Sequence, residues 1–116
     1  MDYVGTYVAT LRDARGLTQP DFALKVGVSE RTIRNLEAGR HAPRTTDLDT
    51  ILHYLQGNWT HVEQLLRPDA SKALAQRLAQ EIINGTGFTS EQRSLLENLT
   101  PEQKAALLTV ARQMRQ

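Results

Sequence analysis

Arg31, Arg34 and Asn35 lie in the stretch Glu30–Glu37, where the apolar residues Ile33 and Leu36 are three apart. On a helical wheel of about 100° per residue, Ile33 and Leu36 mark a buried side, with Arg31 and Asn35 opposite and Arg34 on a flank. The chemistry open to that outer face is recognition of base edges. A guanidinium can fork onto guanine O6 and N7, and a carboxamide can pair with adenine N6 and N7. Arg31 and Asn35 are the first candidates for reading bases, with Arg34 beside them. Glu30 can accept from cytosine N4 or orient Arg34 four residues on, and the orienting role is preferred. Two arginines and an asparagine equally suit a plain solvated face, so these residues alone leave both readings open.

The flanking residues supply what is needed to position that face. Thr18 can cap a preceding helix, in which Pro20 lacks an N–H that would be unsatisfied in a first turn anyway. Phe22, Ala23 and Val26 share one side of it, and Ala23 is small where a second helix must cross closely. Gly27 can take the positive φ that ends the helix, and Ser29 is a good cap for the next. The pattern predicts helix, tight turn, helix. Upstream, a helix from about Tyr3 to Ala14 carries Val4, Tyr7, Val8 and Leu11 inward and stops at Gly16. Downstream, Thr45 or Thr46 opens a fourth helix with Leu48, Ile51, Leu52 and Leu55 on one side, closed by Gly57. Thr60 and Glu63 form a capping box for a short fifth helix ending before Pro68, with Trp59 packing the turn.

The block Leu17–Gly39 resembles the helix-turn-helix of the Cro and phage-repressor type, often called the XRE family. From Leu11 to Gly57 the residues in register with that pattern include Arg12, Gly16, Leu17, Thr18, Gln19, Ala23, Gly27, Val28, Ser29, Ile33, Leu36, Glu37, Gly39 and Pro43, followed by Leu48, Ile51, Leu52 and Leu55. The resemblance implies an all-α, five-helix repressor-type domain that binds double-stranded DNA in a sequence-specific way. It implies that Gln19 touches the phosphate backbone and supports the reading helix. Pro20, where a small or acidic residue is more common, departs from the pattern and bears on that contact. Arg12 and Glu37 correspond to a buried salt bridge between the first helix and the reading helix. The loop Arg40–Arg44 corresponds to a segment that follows a phosphate backbone or reaches toward the minor groove. Candidate backbone contacts are therefore Gln19, Thr18, Ser29, Thr32, Arg40 and Arg44.

Beyond residue 67 the family pattern stops, which divides the chain into a DNA-binding domain, 1–67, and a helical oligomerisation or regulatory region, 68–116. Leu74, Leu78 and Ile82, with Ala75 and Ala79, describe an amphipathic helix ending at the link 84–87. That link lacks the Lys and the preceding strand of a phosphate loop. Ser90 to Leu99 gives another short helix. Thr100, Pro101 and Gln103 supply cap, first-turn proline and capping-box partner for a last helix bearing Leu107, Leu108, Val110, Ala111 and Met114. So short a tail cannot easily bury a core alone and must pack on the DNA-binding domain, on a second copy, or on another protein. A homodimer is the preferred expectation, with Leu74, Leu78, Ile82, Leu107, Val110, Ala111 and Met114 as dimerisation candidates; the alternative is that the tail extends the core of a monomer.

From residue 1 to 67 eight Lys and Arg face eight Asp and Glu, so the expected DNA-binding domain carries no net charge. Between Arg31 and Arg44, however, four arginines stand against Glu37 alone, and a protonated His41 adds to them. Such a stripe, rather than net charge, is the footprint of phosphate positioning, and it implies modest nonspecific affinity. With no cysteine in 116 residues, disulfides and thiolate metal sites are excluded. The first residues lack the pattern of a secretory signal, and no apolar run approaches the roughly 18 residues of a membrane span. The expectation is a cytoplasmic protein with no cofactor. Enzymatic readings find no support: His41, His53 and His61 have no metal-binding spacing, and Ser29 and Ser90 read as helix caps rather than nucleophiles. The layout is similar to that of small regulators whose tails dimerise and answer to a separate regulatory protein. Two functions compete at this point: a dimeric repressor on a palindromic operator, and an antitoxin that neutralises a partner toxin and represses its own operon.

Overall fold

The computed structural model describes residues 3–40, 43–84 and 100–114, with no side chain described for residue 107 or from residue 110 on. Among the described residues there are seven helices and no strand: α1 (Val4–Ala14), α2 (Gln19–Val26), α3 (Glu30–Glu37), α4 (Thr45–Leu55), α5 (Trp59–Leu65), α6 (Lys72–Ile83) and α7 (Pro101–Met114). His41, residues 85–87 of the expected link and the expected helix from Ser90 to Leu99 lie outside the described residues. So do the side chains of Leu107, Val110, Ala111 and Met114.

Local chemistry sets most of the boundaries. Thr18 accepts a hydrogen bond from the Asp21 N–H and Ser29 accepts one from the Thr32 N–H, so α2 and α3 each begin on a side-chain cap. Gly27, at φ 74°, turns the chain between them in the left-handed region that glycine enters without steric cost. At α7, Thr100 and Gln103 exchange the two bonds of a capping box: the Gln103 N–H donates to Thr100 Oγ1 and the Thr100 N–H to Gln103 Oε1. Two expectations need correction. The cap of α5 is Asn58, whose side chain accepts from the His61 N–H, rather than Thr60; starting the helix at Trp59 lets that indole be fully buried. The left-handed residue that ends α4 is Gln56, at φ 61°, one position before Gly57.

α1 is the spine of the molecule. Its Val4, Tyr7, Val8 and Leu11 are buried, and it packs against α3, α4 and α6. Ile33 and Leu36 hold α3 down, while Leu48, Ile51, Leu52 and Leu55 give α4 its inner side. The same core continues into α6 through Ala75, Leu78 and Ala79. Of the dimerisation candidates, Leu78 is already covered within its own chain, and Leu74 and Ile82 are partly buried beside it.

The approach of α1 to the end of α3 is very close. A Cβ built on Gly5 would collide with the carbonyl oxygen of Leu36 and lie 3.0 Å from the Glu37 Cα and carbonyl oxygen. All three obstacles are backbone, which cannot swing aside as a flexible side chain would. Gly5→Ala should therefore destabilise the protein by about 1–3 kcal/mol through overpacking, against a gain in helix propensity of at most about 1 kcal/mol. A thermal melt should show a fall of several degrees; an equal or higher melting temperature would mean that α1 does not need this contact distance.

Candidate nucleic-acid interface

The candidate face for nucleic acid is built on α3. Ile33 and Leu36 are buried beneath it, Arg31 and Arg34 are exposed, and Asn35 is half-buried. Arg34 Nη2 lies 3.5 Å from Glu30 Oε2, one turn earlier, so Glu30 is engaged with Arg34 in the orienting arrangement. Both members are substantially exposed, and such a pair contributes little to stability. Its effect is to bias where the Arg34 guanidinium points. Arg31 is exposed and makes no ion pair among the described residues.

A buried polar node fixes the position of α3. Glu37 receives Arg12 Nε at 2.7 Å on Oε2 and Arg12 Nη2 at 2.9 Å on Oε1, the bidentate arrangement in which a guanidinium matches a carboxylate. Oε1 also accepts from Gln19 Nε2 at 3.1 Å, and Arg12 Nη1 donates to the Leu17 carbonyl at 2.6 Å. One carboxylate thus joins α1, the first turn of α2 and the last turn of α3. The hydrogen bond to Glu37 is the main cause that raises the Arg12 guanidinium above its already high pKa, against the opposing effect of burial. The guanidinium therefore stays charged as the donor side of this pair.

Around α3 the candidate backbone contacts gather at helix starts. Thr18 is exposed at the cap of α2, and the Ser29 and Thr32 hydroxyls lie 2.8 Å apart at the start of α3. Gln19 is half-buried with its amide nitrogen committed to Glu37. Arg40 follows directly after α3 and is exposed; Arg44, also exposed, stands at the cap of α4 with Nε 3.6 Å from Asp47 Oδ2. The family resemblance implied the Arg12–Glu37 pair and a supporting role for Gln19 toward the reading helix, but not that the Gln19 amide shares the Glu37 carboxylate. Nothing local signals that bond, which spans 18 residues. Asp47 was missed as well, though its spacing of three from Arg44 is a readable helical signal.

Among the described residues the protein is all-helical, and its N-terminal helices form a helix-turn-helix whose polar, arginine-bearing second helix faces outward. Comparison with protein families agrees: the model of the helix-turn-helix domain family matches residues 4–65, more than half of the chain, and the chain belongs to that family. The domain is that of a DNA-binding regulator. Neither the curated proteins nor the solved structures contain a match to the chain. Among the described residues no helix is long and apolar enough to cross a membrane, and no three His, Cys, Asp or Glu side chains are grouped as a metal site would require.

The side chains of Glu37 and Arg12 are only 7 % and 12 % exposed. Loss of one partner strands the other charge, so Glu37→Ala should cost about 3–5 kcal/mol. Equilibrium denaturation by urea checks this, and a cost below about 1 kcal/mol would show that the node does not hold α3 in place.

Proposed function

We propose that this protein is a dimeric transcriptional repressor of the Cro and phage-repressor type that reads a palindromic operator with α3. The observation that carries the reading is the contrast between the two sides of that helix: its inner side is locked by Ile33, Leu36 and the Arg12–Glu37–Gln19 node, while Arg31, Arg34 and Asn35 are left on the outer side. A helix held that rigidly, with forked donors and a carboxamide facing out, suits insertion into a major groove.

In this reading Arg31 and Asn35 contact base edges and Arg34, steered by Glu30, contacts a base or its flanking phosphate. Thr18, Gln19, Ser29 and Thr32 bind phosphates at the starts of α2 and α3, and Arg40 and Arg44 extend the contact along the backbone. These contacts set register and orientation, while the bases supply specificity. Residues 1–67 make up the DNA-binding unit, and 68–116 serve oligomerisation and regulation without a catalytic site or a cofactor. Because 1–67 has no net charge, one copy gains little from general attraction to DNA, and two half-sites read together supply the missing affinity. With Leu78 spent in the core, the stripe of Leu107, Val110, Ala111 and Met114 is the better choice for pairing two copies.

The test is selection from random duplex DNA on the purified protein, with its mass in solution measured alongside. The expected result is an enriched palindrome whose half-sites are centred about 10–10.5 base pairs apart, bound by a dimer. A stable, folded protein that enriches no sequence would overturn the reading and favour a function in binding other proteins.

A further inference from the structure

Among the side chains described, α6 and α7 are attached to the rest of the molecule in different ways. α6 is held by apolar burial, with Ala75, Leu78 and Ala79 inside the core. Of the α7 side chains described, the buried one is a lysine, Lys104, while Leu108 one turn later is partly buried against the core. A buried ammonium loses its hydration, and its place must be made good by specific partners. Lys104 Nζ donates to Asp49 Oδ1 at 2.9 Å and lies 5.1 Å from the centre of the Trp59 ring, whose negative face attracts a cation. The same Asp49 oxygen accepts from Trp59 Nε1 at 2.7 Å, which fixes carboxylate and indole relative to each other. Partial burial alone would raise the Asp49 carboxyl, but the Lys104 and Trp59 hydrogen bonds and the Lys104 and His53 charges outweigh it and hold it below the usual carboxylate range.

Asp49 belongs to α4 and Trp59 to α5, so the two form a notch for a primary ammonium on the helix-turn-helix unit itself. We infer that α7 is a releasable strap whose key is Lys104, seated in the Asp49–Trp59 notch. Among the α7 side chains described, release would uncover Lys104 and the partly buried Leu108. On undocking, Lys104 regains full hydration, and Asp49, whose side chain is already 52 % exposed, keeps its contact with water and with Trp59. The side chains that hold α6 have no such compensation. A regulator acting on the tail would then have a defined event to control, the seating or unseating of one lysine, without unfolding α1–α6.

Hydrogen exchange of the full-length protein, read by mass spectrometry with the emission of Trp59, the only tryptophan in the chain, tests this directly. In the unaltered protein the α7 amides should exchange by an opening that leaves α1 and α4 protected. Lys104→Ala and Asp49→Asn should speed exchange in α7 at least about tenfold while α1, α4 and α6 are unchanged. Lys104→Ala should also shift Trp59 emission to the red. Lys104→Arg, which keeps a cation for both the carboxylate and the ring, should retain most of the protection. Unchanged α7 exchange in Lys104→Ala would show that something other than the lysine holds the helix. Loss of protection in α4 and α7 together would show that α7 is an integral part of the core, and either result overturns the proposal.

Discussion

The carboxylate of Glu37 is the point at which α1, α2 and α3 are joined, and the orientation of the outward face of α3 depends on it. Its two oxygens are shared between the Arg12 fork and the Gln19 amide, and Arg12 reaches on to the Leu17 carbonyl that enters α2. A buried ion pair of this kind adds little net stability over an apolar contact of the same shape. What it supplies is direction, because a bidentate pair tolerates little rotation, whereas Ile33 and Leu36 alone would allow α3 to roll. The close backbone approach at Gly5 works toward the same end, bringing α1 against the last turn of α3 at the very residues that carry the node.

Rigid presentation fits the charge distribution. A protein that relied on a strongly basic surface could tolerate an imprecise reading helix, since most of its affinity would come from phosphates. Here the acids and bases of residues 1–67 cancel, and the excess is confined to four arginines between Arg31 and Arg44. Under the proposed reading, affinity has to come from well-placed contacts, which are only as good as the position of α3. The Glu30–Arg34 pair extends this logic to a side chain by restricting where one guanidinium can go.

Much of this was legible in the sequence because it is local. The caps at Thr18, Ser29 and Thr100, the glycine turn at Gly27 and the spacing of Ile33 and Leu36 each depend on residues within one or two turns, and helical periodicity exposes them. The cap of α5 went to Asn58 instead of Thr60 because two good capping residues stand two apart, and burial of Trp59, a tertiary effect, decides between them. Contacts across the chain were not legible from spacing. Arg12 with Glu37 was found through family resemblance, whereas Gln19 with Glu37, Gly5 with Leu36, and Lys104 with Asp49 and Trp59 had no local trace. Lys104 in particular reads in sequence as an ordinary solvated residue of an amphipathic helix, and only the fold reveals it as the buried one among the α7 side chains described.

The helix-turn-helix unit and α6 form one packed body around α1. The most direct measurement of DNA reading by α3 is the affinity of Arg31→Ala for the operator, compared with its affinity for an unrelated duplex. If α3 reads bases, the operator should be bound more weakly by about 1–3 kcal/mol per half-site, with binding to the unrelated duplex and the melting temperature little changed. Unaltered operator affinity would contradict recognition through this face.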